Sequence, residues 1–314
     1  MPNTPKILVI TGPTATGKTA LAVAVAKALN GEVVSADSMQ IYRRMDIGTA
    51  KVTPEETQGI AHHMVDIAEP TESYSVAQYV KDADCCVKDI LRRGALPIVA
   101  GGTGLYIDSL VRGIDFDETA SDPALRAELS AQYDAVGGEE MLKMLAELDP
   151  RRAAKLHPAD KKRLLRALEV YKLTGKTITQ HDEESRAAPP RYDAVTIALS
   201  FSDRARLYAR IDERVDKMVE AGLFDEVRSL LDSGNPEKCT AMQAIGYKEA
   251  ALALRGEISR DEAIELIKRE SRRYAKRQLT WLRRSDKVNW IYWDEKPDLD
   301  YARRLSTAFF DAKN

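Results

Sequence analysis

Gly12-Pro13-Thr14-Ala15-Thr16-Gly17-Lys18-Thr19 follows the apolar run Lys6 to Thr11 (KILVIT) and leads into a helical pattern from Thr19 to Leu29. The octet fits G-x-x-x-x-G-K-[ST] in the strand-to-helix setting that this motif requires. Its glycines let successive backbone N–H groups turn toward one anion, Lys18 adds a positive charge, and the Thr19 hydroxyl can hold a divalent metal. All eight residues are therefore candidates for a phosphate cradle. The motif points to an α/β fold but leaves the reaction open, since kinases, NTPases and transferases acting on diphosphates all need such a cradle.

Outward from this loop the chain alternates in the α/β manner: strand 6–11, helix 18–29, strand 32–36, helix 76–93 stopped by Gly94, and strand 96–100. Such alternation predicts a parallel sheet with crossover helices. Leu21, Val25 and Leu29 recur every four residues and should face that sheet. From about Phe116 the texture changes to short helical patterns (Pro123 to Tyr133, Glu139 to Leu148, Lys161 to Leu173), ending near Ala187-Ala188-Pro189-Pro190. The β-rich run Ala194 to Phe201 then rejoins the sheet, followed by helices 203–221, 224–232, 247–255 and 259–284, a strand Val288 to Trp293 and a terminal helix. The expected organisation is a P-loop NTPase-like parallel sheet core from residues 1–115 and 192–314, interrupted by a mainly helical insertion domain over 116–191.

With 314 residues, 44% of them apolar, the chain can bury a large core and a smaller one. No stretch approaches the roughly 18 consecutive apolar residues of a membrane span, and no secretory leader pattern opens the sequence, so a cytoplasmic location without a membrane partner is expected. Cys85, Cys86 and Cys239 lack the spacing of a zinc site or a disulfide framework. The formal charge of −2 conceals a sorted distribution. Arg151, Arg152, Lys155, Lys161, Lys162, Arg163 and Arg166 face only Asp160 within their segment, and nine Lys or Arg between Lys268 and Lys287 face only Glu270 and Asp286. Such segregation is the footprint of a nucleic acid, or else of solvated helix faces.

Val33-Val34-Ser35-Ala36-Asp37 runs a short strand into a carboxylate at the sheet rim where ligands of α/β folds bind. Asp37 can serve as a base or a metal partner there, or simply cap the turn before Met39-Gln40. The next strand ends in Gly101-Gly102-Thr103-Gly104 without the carboxylate of an ATPase, which leaves Asp66 as a possible substitute. Arg210 and Arg214 share a helix face and could clamp a diphosphate, or pair with Asp212 or Glu213. Tyr274 and Trp281, seven apart among the cations, are expected in the core.

Taken together, GPTATGKT (12–19), ADSMQIYR (36–43), HHMVDI (62–67), YSVAQY (74–79), GGTGLY (101–106), RALEVY (166–171), IGYKE (245–249) and KRQLTWLRR (276–284) closely resemble the tRNA dimethylallyltransferase, or tRNA isopentenyltransferase, family. The resemblance spans nearly the whole chain in order and favours the bacterial form, since no Cys/His finger of the eukaryotic kind is present. It implies transfer of a dimethylallyl group from dimethylallyl diphosphate to N6 of the adenosine just 3′ of the anticodon (position 37), in tRNAs reading codons that begin with U. By resemblance Asp37 is the general base, Arg214 contacts the diphosphate, Lys18 balances its charge and Thr19 holds Mg²⁺. The resemblance likewise implies tRNA contacts for Asp37, Ser38, Met39, Gln40 and Thr103, with the basic segments supplying Lys162, Arg163, Arg166, Lys276 and Arg277. Lys162 replaces a residue that is often Gln in relatives. The partners are then the anticodon stem-loop of tRNA and dimethylallyl diphosphate, and the protein is expected to act as a monomer. The rival readings are a P-loop small-molecule kinase using ATP, an adenylate isopentenyltransferase using a free nucleotide, and a non-catalytic RNA-binding protein.

Overall fold

The computed structural model describes residues 4–114 and 122–312. The chain forms two compact units, Met1–Val111 with Arg191–Asn314, and Arg112–Pro190. Residue 116, where the sequence pattern put the start of the insertion, lies outside the described residues.

The first unit is built on six strands: β1 (Lys6–Thr11), β2 (Gly31–Ser35), β3 (His62–His63), β4 (Leu96–Gly101), β5 (Asp193–Phe201) and β6 (Val288–Trp293). They pair in the order β3-β2-β4-β1-β5-β6, and every pairing is parallel. Ile7, Leu8, Val9 and Ile10 of β1 are all fully buried, as expected of a central strand covered on both faces. Helix Lys18–Leu29 buries Leu21, Ala22, Val23, Val25 and Ala26, while Leu29 packs partly buried at the edge of the same core. Helix Val76–Arg92 stops as its sequence suggests. Gly94 adopts φ +73°, and the N–H groups of Gly94 and Ala95 bond back to Leu91 O and Ile90 O, which closes the helix end.

The chain leaves β1 toward β2 on one side of the sheet and later returns to β5 on the other, so the carboxyl end of β1 lies beside a change of winding direction. Open α/β sheets form their ligand crevice at such a point. The segments after β1, β2 and β4 meet there: Ala36 N–H donates to Ala100 O at 2.8 Å, and Thr103 N–H donates to Ala36 O at 3.0 Å.

The second unit packs helices Pro123–Val136, Gly138–Leu148 and Lys161–Thr174 around Leu129, Met141, Leu145, Leu164 and Leu168. Within it the fully buried Glu169 carboxylate accepts from Arg126 at 2.6 Å, Arg166 at 2.9 Å and the Asp122 N–H at 3.2 Å. Besides single turns such as Pro54–Thr57, Pro150–Ala153 and Ala241–Gln243, three elements escaped the sequence pattern. β3 has only two residues, helix Gly104–Arg112 begins on glycine, and helix Ile178–Ala187 reads ITQHDEESRA, which carries no apolar stripe. That last helix is announced only by its Thr177 capping box with Gln180.

Glycines 101, 102 and 104 make room for the protein itself, and Gly101 also lines a cavity beside the phosphate loop. A Cβ at Gly101 would lie 2.2 Å from Ala36 O, one at Gly102 2.1 Å from Gln278 Nε2, and one at Gly104 2.3 Å from the Trp281 ring. Because the Gly101 clash is with backbone, Gly101→Ala should destabilise by about 1–3 kcal/mol, the usual cost of overpacking, and displace the segment carrying Asp37. Urea unfolding checks this, and an unchanged midpoint would mean that Ala36 yields freely.

Candidate active site

The phosphate loop is held ready by its own bonds. Gly12 has φ +144° and a Cβ there would meet Leu199 O at 2.4 Å, so only glycine fits. Ala15 and Gly17 adopt φ +65° and +85°. Thr16 Oγ1 and Lys18 Nζ each donate to Pro13 O at 2.8 Å, and Trp293 Nε1 donates to Thr16 O at 3.0 Å. Helix Lys18–Leu29 starts at Gly17 with no side-chain cap and no acid in its first turn. Its opening N–H groups and dipole therefore favour an anion.

Two cavities adjoin the loop. The cradle cavity, about 640 Å³, is lined by residues 14–19 with Asp37, Gln40, Asp46, Glu56, Arg210 and Arg214. A second, of about 450 Å³, is lined by Asp37, Ser38, Met39, Thr49, Arg214, Tyr274 and Arg277, and by an apolar wall including Ile211, Val215, Met218, Ile245 and Ile267. Asp37 and Arg214 border both. Asp37 Oδ1 accepts the N–H groups of Met39 at 2.9 Å and Gln40 at 3.4 Å, so the carboxylate caps its turn with one oxygen while lining both cavities.

The electrostatics favour an incoming anion. Burial, first, and then the Arg214 guanidinium push the Lys18 ammonium down to about 7, with Asp37 offsetting part of the shift. Burial also lowers Arg214 below its ordinary value, while Asp37 and Glu56 oppose this. Two crowded cations, only partly offset by Asp37 and Glu56, make an arrangement that a diphosphate would relieve. The expected pairing of Arg210 or Arg214 with Asp212 or Glu213 does not form. Asp212 takes Arg272 and Glu213 takes Lys217, which leaves Arg214 to reach Thr49 O at 3.4 Å and Arg210 to reach Ala15 O at 3.4 Å. Asp66, considered as a metal carboxylate, instead meets Lys51 Nζ at 2.6 Å.

Ser38 is fixed by Thr103, whose Oγ1 accepts the Ser38 N–H at 3.1 Å, and Gln40 is fixed by its Nε2 on Ala50 O at 3.2 Å. Tyr274 departs from the core position expected for it: it is half-buried and lines the second cavity. Burial, first, and the Asp37 charge push its hydroxyl up to about 12, with a bond to Thr103 opposing the shift. Trp281 covers Gly104 and donates Nε1 to Asp108 at 3.2 Å.

The basic run of helix Arg260–Leu282 divides in two. Lys268, Arg269, Arg272 and Arg273 are paired with Asp216, Glu270, Asp212 and Glu270. Lys276, Arg277, Arg283 and Arg284 are exposed and make no salt bridge among the described residues. In the second unit Lys162 and Arg163 are exposed on helix Lys161–Thr174, where Arg163 meets Asp160 at 3.1 Å, and Arg166 holds Glu169.

Sequence reasoning missed Gln278. Its Oε1 accepts the Thr14 N–H at 3.1 Å and its Nε2 donates to Gly102 O at 3.0 Å, so one amide ties the phosphate loop to the end of β4. The signal was a polar residue in the buried stripe Ala275, Gln278, Leu279, Leu282.

Fold and site together define the class: a P-loop α/β protein with a carboxylate and an arginine at the mouth of its cradle. A family model described as IPP transferase matches residues 40–285, and one described as isopentenyl transferase matches residues 5–73. The chain belongs to the IPP transferase family. It is 50% identical over 286 residues to the tRNA dimethylallyltransferase of Carboxydothermus hydrogenoformans, covering 91% of each chain. To that of Bacillus licheniformis it is 47% identical over 305 residues, covering 97% of this chain and 96% of the relative. The crystal structure of the full-length tRNA isopentenylpyrophosphate transferase from Bacillus halodurans matches with TM-score 0.73 and 42% identity, over 98% of this chain and 97% of that one. A eukaryotic dimethylallyltransferase captured acting on tRNA matches with TM-score 0.84 and 28% identity, over 98% of this chain and 80% of that one. These relatives favour the transferase reading over a small-molecule kinase.

Gln278→Leu keeps the bulk but releases Thr14 and Gly102, so the affinity for inorganic diphosphate, measured by calorimetry, should fall by about tenfold at little cost in stability. Unchanged affinity would mean that the loop holds its shape without the tether.

Proposed function

We propose that the protein transfers a dimethylallyl group from dimethylallyl diphosphate to N6 of the adenosine 3′-adjacent to the anticodon (position 37) in tRNAs reading codons that begin with U, giving N6-dimethylallyladenosine and diphosphate. Membership of the IPP transferase family supports this reading. The observation that carries it is the shared border of the two cavities at Asp37 and Arg214. A donor with its diphosphate in the cradle would present its allyl end toward the apolar-walled cavity, beside the one carboxylate common to both.

In this reading the N–H groups of the 14–19 loop, Lys18 and Arg214 hold the diphosphate and offset the charge that grows as the C1–O bond breaks. Asp37 accepts a hydrogen bond from the adenine amino group and takes its proton as the N6–C1 bond forms. The amino lone pair is delocalised into the ring, so this proton acceptor makes the nitrogen a better nucleophile. The adenine must leave its stack to reach Asp37, which a single-stranded anticodon loop allows for a few kcal/mol. The donor set of the cradle suits Mg²⁺, a hard ion that takes a hydroxyl, one or two carboxylates and substrate phosphates. Thr19 would hold it with the diphosphate oxygens, Asp37 and Glu56 lining the same cavity. When bound, the ion supplies further neutralisation of the leaving group.

Lys276 and Arg277, with Arg283 and Arg284, would grip tRNA phosphates, and Lys162, Arg163 and Arg166 of the second unit would contribute further contacts. The monomer is proposed as the working unit. The proposed place of action is the cytoplasm; among the described residues no helix is long and apolar enough to cross a membrane.

The test is mass spectrometry of nucleosides from unmodified tRNA incubated with protein, Mg²⁺ and dimethylallyl diphosphate, with ATP as the control donor. A dimethylallyl gain on adenosine is expected; no gain, with ADP formed from ATP, would move the kinase reading to first place. Asp37→Ala should lower transfer by at least about a hundredfold while tRNA affinity stays within about twofold, since the carboxylate acts on the reacting amine. Wild-type-like turnover would remove Asp37 as the base. Replacing Lys276 and Arg277 together by Ala should weaken tRNA binding and reduce its salt slope by about 1–2. A slope unchanged from wild type would place that helix away from RNA.

A further inference from the structure

The segment Asp46-Ile47-Gly48-Thr49-Ala50-Lys51 forms a wall between the two cavities: Gly48 and Thr49 line the apolar-walled one, and Asp46, Ile47, Ala50 and Lys51 line the cradle. It has no regular secondary structure, yet it carries the carbonyl on which Arg214 rests, Thr49 O at 3.4 Å. Gln40 Nε2 reaches the same carbonyl at 3.4 Å. The position of this loop therefore bears directly on that of Arg214.

Besides Gln40, and Asp66 on Lys51, a third side chain holds the loop from outside and takes its backbone amides. Glu226, on helix Leu223–Asp232, turns its carboxylate onto three successive backbone N–H groups. Its Oε2 accepts from Asp46 and Ile47, both at 2.8 Å, and its Oε1 accepts from Gly48 at 3.1 Å. Three consecutive amides converging on one anion make a nest, here filled by the protein's own carboxylate. A fourth donor completes it: Tyr247 Oη gives its hydrogen to Oε1 at 2.5 Å. Burial, first, and then the neighbouring Glu226 charge push the Tyr247 hydroxyl well above its ordinary value, so it stays a donor. The Tyr247 ring is fully buried, and a Cβ on Gly48 would lie 2.4 Å from it, so glycine at 48 lets the loop close onto the ring.

We infer that Glu226, seated on Tyr247, is a positioning residue for the transfer reaction, which sets the 46–51 loop so that Thr49 O holds Arg214 against the diphosphate of the donor. The inference rests on the function proposed above and gives a task to three residues, Gly48, Glu226 and Tyr247, that lie outside the phosphate motif. The chemistry is specific to a carboxylate, because each oxygen takes two donors. An amide at this position offers one acceptor oxygen and turns an N–H₂ group against N–H or O–H donors.

The experiment compares Glu226→Gln, Tyr247→Phe, Arg214→Ala and the double variant Glu226→Gln/Arg214→Ala in the full-length protein. It reads KM for dimethylallyl diphosphate, KM for tRNA and the Kd of inorganic diphosphate by calorimetry. Glu226→Gln should raise the donor KM and the diphosphate Kd by about tenfold with the tRNA KM unchanged. Tyr247→Phe, which removes one donor of four and keeps the packing on Gly48, should move both in the same direction by about two- to threefold, and it carries the test if Glu226→Gln does not fold. In the Arg214→Ala background Glu226→Gln should add less than about twofold, because its effect passes through Arg214. A wild-type donor KM in the folded variants, a parallel rise in both KM values, or full additivity with Arg214→Ala would overturn the inference. If wild-type protein transfers no dimethylallyl group, the proposed function falls, and the diphosphate Kd values then decide separately whether Glu226 acts on Arg214.

Discussion

Keeping Lys18 and Arg214 close together beside the Asp37 carboxylate is the constraint on which the rest of the site depends. Left to themselves the two cations repel, and burial adds to the cost, as the lowered Lys18 ammonium records. The surrounding structure exists in large part to hold them there. Pro13 O takes the Lys18 ammonium, Thr49 O takes the Arg214 guanidinium, and the turn at Met39 and Gln40 takes one oxygen of Asp37. Each anchor belongs to a segment leaving the carboxyl end of the sheet or to the loop that follows β2. A site preorganised in this way stabilises charge developing on a leaving diphosphate with little reorganisation during the reaction.

The parallel sheet makes this convergence possible. Its order brings the ends of β1, β2 and β4 side by side, and the glycines after β4 remove the side chains that would keep those ends apart. Helix Arg260–Leu282 then joins the parts: Gln278 reaches both the phosphate loop and Gly102, Tyr274 lines the second cavity, and Lys276 and Arg277 on the same helix face outward. One helix thereby carries the binding surface proposed for RNA and a strut of the diphosphate cradle.

Much of this was legible in the sequence, for reasons of locality. The phosphate loop, the strands β1, β2 and β4 and the stop at Gly94 are written in neighbouring residues, so short-range patterns suffice to find them. What escaped depends on partners far apart in the chain. The cations Lys268 and Arg272 are neutralised by Asp216 and Asp212, some fifty to sixty residues earlier, which no count of charge within the segment reveals. Tyr274 has the spacing of a core aromatic but meets a cavity that only the folded sheet creates. The glycines of GGTG stand out in the sequence, but that Ala36 O, Gln278 and Trp281 approach them is set by distant parts of the chain. The two-residue β3 and the polar helix Ile178–Ala187 carry too little apolar periodicity to be read at all.

The central claim is that the phosphate loop serves the diphosphate of an allylic donor, with Asp37 on the side where carbon and nitrogen meet. A crystal structure with Mg²⁺, an unreactive thiolo analogue of dimethylallyl diphosphate and an unmodified anticodon stem-loop tests it most directly. The account predicts the diphosphate oxygens on the 14–19 amides, Lys18 and Arg214, the allyl C1 toward the apolar-walled cavity, and Asp37 within hydrogen-bond distance of the adenine amino group. A diphosphate seated away from the loop, or an Asp37 turned from the adenine with the analogue in place, would contradict it.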